Sequence, residues 1–233
     1  MAVSIGIIVF PGSNCDHDAY YALKHELGVD TRFIWHKETE MDSVDGIVIP
    51  GGFSYGDYLR SGAIARFSPV MKEVEKFAEN GGPVLGICNG FQVLLEAGLL
   101  PGTMMHNEQL KFSCRMIHIS CKNSNTLFTS GIDRSRVLKL PIAHGEGNYF
   151  ASDDELKRLY DQNQIVFTYT DENGNPTPDA NPNGSVENIA GVCNQKGNIL
   201  GMMPHPERAV DPTLGSDDGK IILNTMLNSL EPS

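Results

Sequence analysis

An apolar run, Pro83-Val84-Leu85-Gly86-Ile87, leads into Cys88-Asn89-Gly90-Phe91-Gln92, and a helix-like apolar pattern follows. A cysteine flanked by Gly86 and Gly90 between a strand and a helix has the G-x-nucleophile-x-G form, with Cys88 in the nucleophile position. Few folds can host this string. The turn must lift the side chain clear of the backbone, and the two glycines allow the close packing that such a strained turn needs. The helix that follows aims its first N–H groups at the sulfur and at any oxyanion beside it. A merely buried structural cysteine, the commonest fate of a free thiol, would need neither glycine.

The elbow requires a strand feeding a helix, and the first half of the chain repeats that pattern. Val3–Phe10 reads as a buried strand, Pro11-Gly12-Ser13-Asn14 as a turn, and Asp16–Leu27 as a helix ended by Gly28. Thr31–Trp35, Gly46–Pro50 and Val84–Ile87 read as strands, with helices over Pro69–Asn80 and Gly90–Ala97. Short continuous apolar strands alternating with helices predict a parallel sheet covered on both faces. The second half is less regular. Strands are expected at Arg115–Cys121, Arg136–Leu140, Ile165–Tyr169, Asn188–Cys193 and Ile199–Met203, with helices at Asp153–Gln162, capped by Ser152, and Gly219–Leu230. Asp171–Glu187, rich in Asn, Pro, Gly and Asp, reads as a surface loop, since strand signals continue on both sides. The expectation is one α/β domain over residues 1–233, with a mostly parallel central sheet flanked by helices.

Three further strings offer partners for Cys88. In Met203-Pro204-His205-Pro206-Glu207-Arg208, Pro206 keeps His205 out of the α region, so the segment should be extended. Residues i and i+2 then point the same way, and the Glu207 carboxylate can hold the His205 imidazole as the base-plus-orienter half of a triad. In Pro50-Gly51-Gly52-Phe53-Ser54-Tyr55-Gly56-Asp57 a strand runs into a glycine pair, where the N–H of Gly52 could join that of Asn89 as an oxyanion hole. An ordinary turn is the plainer reading of that string taken alone. His144-Gly145-Glu146-Gly147 offers a second candidate base, His144, ranked below His205 for want of an orienting carboxylate other than Glu146. Strand ends of a parallel sheet converge on one edge, the usual ligand edge, which favours reading these strings together.

Other signals exclude. A net charge of −11, with no Lys/Arg-rich run, argues against nucleic acid or an anionic membrane surface as a partner. No apolar stretch approaches the roughly 18 residues of a membrane span. The start of the chain enters a strand without a basic leader, so a secretory signal is not expected. The five cysteines, Cys15, Cys88, Cys114, Cys121 and Cys193, are odd in number, scattered and without a C-x-x-C, which fits a reducing cytoplasm better than a disulfide framework. No metal-ligand cluster stands out. Gly215–Ile221 is one residue short of a P-loop and has Ile after its Lys, so it should not cradle phosphates. The sequon Asn183-Gly184-Ser185 has no meaning in the cytoplasm.

Together the strings resemble the class I, triad-type glutamine amidotransferases, and more narrowly the branch that serves de novo purine synthesis. The matching segments are Pro11–Asp16, Gly51–Ala65, Gly86–Gln92, Ala143–Tyr149 and Asn181–Arg208. The resemblance implies a flavodoxin-like α/β fold and a set of roles. Cys88 attacks the glutamine side-chain amide, His205 shuttles the proton and Glu207 orients it. Gly52 and Asn89 supply oxyanion N–H groups. Gly51, Gln92, Gly145 and Glu146 hold the glutamine. It further implies no cofactor or metal in this chain. ATP and magnesium would be used by a separate synthetase subunit, which with a small third subunit completes the complex and spends the ammonia on formylglycinamide ribonucleotide. Free ammonia at neutral pH is almost wholly ammonium, so a sheltered path and a complex are expected. Two rivals share the elbow: a cysteine peptidase or chaperone-like protein, which would lack the His205-Pro206-Glu207 string, and a non-catalytic scaffold, against which the intact Cys88, His205 and Glu207 argue.

Overall fold

The computed structural model describes residues 3–41 and 43–231. In chain order the strands are β1 (Ser4–Val9), β2 (Asp30–Trp35), β3 (Gly46–Ile49), β4 (Val84–Ile87), β5 (Thr103–Met105), β6 (Ser113–Cys121), β7 (Val137–His144), β8 (Asn148–Phe150), β9 (Ile165–Thr170), β10 (Ile189–Cys193) and β11 (Ile199–Met202). The helices are α1 (Asp16–Tyr20), α2 (Pro69–Glu79), α3 (Asn89–Glu96), α4 (Asp153–Asp161) and α5 (Gly219–Asn228). Nine strands form one sheet in the order β2-β1-β3-β4-β11-β10-β9-β6-β7. The first five pair in parallel, the doubly wound arrangement expected from the strand–helix alternation. From β11 onward the pairing is antiparallel, adding a four-strand wing.

Burial explains the parallel half. Every residue of β3, β4 and β11 is buried, as is Ile5–Ile8 of β1, because helices cover both faces. Such side chains contribute about 1.5–3 kcal/mol each on leaving water. Helix α3 packs on β3, β4 and β11 and carries Phe91, Val93, Leu94 and Leu95 inward. Helix α2 starts with Pro69 at its first turn and buries Val70, Met71, Val74 and Ala78 along one stripe.

Some expectations needed correction. The helix expected over Asp16–Leu27 is α-helical only to Tyr20 and continues as a wide π-turn over Tyr21–Glu26, where Leu27 N–H reaches back five residues to Ala22 O at 3.1 Å. The strand expected to stop at Leu140 runs on to His144 through Pro141. A proline is tolerated there because β7 is the last strand of the sheet. The ribbon β5–β8 was not foreseen, since three-residue strands show no periodicity. Asp171–Glu187 is not wholly a surface loop, for Asn183 and Ser185 are buried. No helix among the described residues is long and apolar enough to cross a membrane.

Candidate active site

Three neighbouring strand ends build the site. Gly86 of β4 is in register with Ile49 of β3 on one side and with Gly201 of β11 on the other. The sheet therefore delivers Gly51-Gly52, Cys88 and the His205 segment side by side at the carboxyl edge. The N–H of Cys88 donates to Met202 O at 2.8 Å, which locks the elbow to the end of β11. Cys88 sits at φ 51°, ψ −105°, a conformation that costs a non-glycine residue about 1–3 kcal/mol and that packing must impose. The flanking glycines are required by space. A Cβ at Gly90 would collide with the backbone of Ile49, and one at Gly86 with Gly90 and Leu94.

His205 and Glu207 meet as expected, by a different route. Only His205 is extended (φ −101°, ψ 90°). Pro206–Arg208 form a 3₁₀ turn, not a continuing strand. The turn still brings Nδ1 of His205 to Oε1 of Glu207 at 2.6 Å, with both side chains almost wholly buried. Burial by itself pushes the imidazole pKa down. The Glu207 carboxylate and the Cys88 sulfur outweigh it and hold it well above the ordinary histidine range. Nε2 of His205 has no hydrogen-bond partner among the described residues. Cys88 is near enough to bias the ring, and its Sγ points to Ala143 O at 3.7 Å.

His144 cannot compete as the base. Burial, then the nearby His205, pushes it down to about 4. The side-chain amide of Asn107 donates to the carbonyls of Lys111 and His144 at 2.8 and 2.9 Å, so its Oδ1 must accept. It accepts from Gly147 N–H and from His144 Nδ1, both at 3.0 Å, which fixes His144 as the neutral Nδ1–H tautomer.

Gly52, Cys88, Gln92, Gly145, Glu146 and His205 line one cavity of about 580 Å³. Glu207 stands behind His205. Gly51 lies beneath, pinched so tightly that a Cβ would meet His205, Cys15 and Cys88. The Asn89 side chain is a brace. Its Oδ1 accepts from Ser54 N–H at 3.1 Å, and its Nδ2 donates to Asp57 Oδ1 at 3.0 Å and Gln92 Oε1 at 2.8 Å. The Gln92 Nε2 then donates to Glu146 O at 2.6 Å. One chain of bonds thus ties the Gly52–Asp57 loop, the start of α3 and the Gly145–Gly147 loop together. The first loop is strained, with φ of 54° at Tyr55 and 52° at Asp57, and the strain continues to 71° at Leu59 just beyond it. Tyr55 anchors it through its N–H to Pro11 O at 2.6 Å and its hydroxyl to His36 and Ser68.

Sequence reasoning missed four cavity-side residues. Asn107 lies outside every matched segment. Asn183 looked like part of a sequon, yet its Nδ2 donates to Gly147 O at 2.7 Å and props the same loop. Asp57 lines the cavity, where burial and the Glu146 carboxylate raise it to about 6 against hydrogen bonds from Ser61 and Asn89 that lower it. Cys15 was counted only as a scattered cysteine, and it faces the triad. Its place in the Pro11–Asp16 turn beside a glycine pair was the available signal.

A family model described as the CobB/CobQ-like glutamine amidotransferase domain matches residues 2–220. The chain is 53% identical over 228 residues to the phosphoribosylformylglycinamidine synthase subunit PurQ of Salinibacter ruber, covering 98% of this chain and 97% of the relative. It is 55% identical over 229 residues to the PurQ subunit of Chlorobium chlorochromatii, covering 98% of each. A solved structure described as PurLQS from Thermotoga maritima contains a chain that superposes with a TM-score of 0.86 at 40% identity, covering 99% of this chain and 100% of that one. A glutamine amidotransferase from Thermotoga maritima shares the fold at a TM-score of 0.62 and 16% identity, covering 100% of both chains.

Proposed function

The chain belongs to the CobB/CobQ-like glutamine amidotransferase domain family, and from that membership we propose that it is the glutaminase subunit of phosphoribosylformylglycinamidine synthase, acting in purine biosynthesis. It hydrolyses the glutamine side-chain amide and supplies ammonia to a synthetase subunit, with which it assembles together with a small third subunit. The synthetase, using ATP and magnesium, converts formylglycinamide ribonucleotide to the amidine. The glutaminase itself uses no cofactor or metal, and it works in the cytoplasm. One observation carries the reading: three adjacent strand ends present a thiol, a carboxylate-held imidazole and a glycine turn to a single cavity.

The chemistry follows from the geometry. His205, raised by Glu207, takes the Cys88 proton, and the thiolate attacks the amide carbon. The oxyanion that forms is met by the N–H groups of Asn89, at the start of α3, and Gly52. The tetrahedral intermediate collapses, the C–N bond breaks, and His205 gives its proton to the departing ammonia. A γ-glutamyl thioester remains. His205 then removes a proton from water, which attacks the thioester carbon, and the C–S bond breaks to release glutamate and restore the thiol. Glu207 keeps Nδ1 protonated throughout, so Nε2 is always the working nitrogen. Gly51, Gln92, Gly145 and Glu146 hold the substrate, Gln92 by setting the height of the Glu146 backbone.

Exposed apolar side chains surround the mouth. Phe53, Leu110 and Phe112 line the cavity, and Leu59 nearby on the loop is 94% exposed. With the base lacking a partner for Nε2, this supports a slow isolated subunit whose pocket is completed by the synthetase. The test has two parts. A glutamine-like electrophile should modify Cys88 stoichiometrically, with glutamine protecting it. Glutaminase turnover should rise when the synthetase is added. Labelling that glutamine does not slow would remove the amidotransferase reading, and equal turnover with and without synthetase would remove the activation.

A further inference from the structure

Cys15 has no part in the hydrolysis, yet it is buried against the triad. Its thiol, a ring nitrogen of His205 and a carboxylate oxygen of Glu207 all lie within 4.8 Å of one another. Two buried atoms of this cluster, Nε2 of His205 and Oε2 of Glu207, lack hydrogen-bond partners among the described residues. Buried polar atoms are seldom left so, and each such atom calls for an explanation. Cys15 and His205 line the cavity, so an ion can reach them from solvent.

We propose that Cys15, His205 and Glu207 form an inhibitory site for a soft divalent cation of the zinc class. The donor set decides the class. One sulfur, one imidazole and one carboxylate suit zinc, whereas magnesium and calcium prefer all-oxygen shells. Three protein ligands with a fourth position open toward the cavity is a common zinc arrangement. Binding forms a metal–sulfur and a metal–nitrogen bond and breaks the Cys15 S–H bond and one N–H bond of the protonated His205 ring, releasing both protons to solvent. The thiolate and the carboxylate then balance the ion's two charges. Arg208 supplies the outer shell. Its Nη2 donates to Cys15 Sγ at 3.0 Å, and its Nε is held by Asp18 at 2.8 Å, so the thiolate would keep a hydrogen bond while it ligates. Inhibition follows whichever nitrogen the ion takes. At Nε2 it occupies the lone pair that must accept the Cys88 proton, and at Nδ1 it displaces the N–H that donates to Glu207.

The site rests on geometry, and its inhibitory effect rests on the reading of His205 as the base. Cobalt(II) is the probe, added to the full chain as Cys88→Ala so that the nucleophile cannot supply the thiolate. A thiolate-to-cobalt charge-transfer band should appear and should vanish in the Cys15→Ala, Cys88→Ala double variant, with circular dichroism confirming that both fold. Zinc should inhibit glutamine-dependent turnover of the assembled complex. Cys15→Ala, active in chelator, should need at least about tenfold more zinc for the same inhibition, the loss that removal of even an outer-shell partner causes. A band that survives Cys15→Ala, or zinc inhibition unchanged by it, would overturn the site. Cobalt bound through Cys15 without inhibition would overturn the inhibitory role and the assignment of the base. A zinc-free complex with no glutaminase activity would instead sink the proposed function, leaving the cobalt band to judge the site.

Discussion

The parallel and antiparallel halves of the sheet contribute to the same cavity in different currencies. The parallel half, β1 to β4 with β11, contributes side chains: Cys88, His205 and Glu207, on strand ends held in register by the core. The antiparallel wing contributes mostly backbone. Ala143 O, Gly145, the Glu146 carbonyl and Gly147 face or support the cavity, and two buried asparagines, Asn107 and Asn183, keep them in place. On the proposed reading, chemistry and substrate placement are separable here. Substitutions in the first half should act on turnover, and those in the second on glutamine affinity.

The largest effect is expected at the elbow. Cys88→Ala should lower glutaminase turnover by about 10⁴-fold or more, while glutamine binding measured by calorimetry persists, since the pocket is built by other residues. Loss of binding along with turnover would show that the halves are not separable. Next, Glu207→Gln should cost up to about 10⁴-fold in kcat with little change in KM, because the buried imidazole loses the charge that holds its tautomer and raises its pKa. The acidic limb of the pH profile should move down, since less base strength is left in the folded site. An unmoved limb would mean that Glu207 only packs.

In the wing, Asn107→Ala should raise KM for glutamine about tenfold and leave the rate of Cys88 alkylation by iodoacetamide unchanged. It unpairs Gly147 N–H and His144 Nδ1, a loss of about 1–3 kcal/mol. Altered alkylation would place the asparagine in the chemical half. The smallest effect is expected at Asp57. Its pKa is about 6 in the fold against an ordinary 3.8, so keeping it ionised destabilises the protein above about pH 6 and not below pH 4. It is partly exposed, so solvent screening reduces this cost to about 1 kcal/mol. Asp57→Asn should therefore raise Tm at pH 8 by about 2–4 °C and leave it unchanged at pH 4. Asparagine also tolerates the positive φ found there. A gain at both pH values would assign the effect to backbone conformation instead of charge.

Legibility followed the same division. Continuous apolar strands running into glycine or cysteine turns are local patterns, so β1, β3, β4 and α3 could be read directly, and Cys88, His205 and Glu207 could be singled out as neighbours. The tightness of the elbow could be inferred from Gly86 and Gly90 alone. Glu207 was found through spacing, although the turn that delivers it is 3₁₀ and not extended, because two residues suffice to return a side chain to its neighbour in either geometry. The wing resisted for physical reasons. A backbone carbonyl such as that of Glu146 carries no residue signature. Asn107 reaches His144 across 37 positions. Pro141 hid the end of β7 because its tolerance depends on being at the sheet edge. Asn89 was expected for its N–H, and nothing local announces that its side chain ties two loops together.

The backbone bond from Cys88 N–H to Met202 O has a consequence for how the enzyme fails. Cys88 and His205 are stitched into the most protected strands, so they can separate only when the core itself opens, whereas the Gly145–Gly147 loop rests on a few asparagine contacts and can open alone. Under rising denaturant the subunit should first forget its substrate and only later lose its reactive thiol. Between those points lies a folded protein with a live cysteine and no preference for what it attacks.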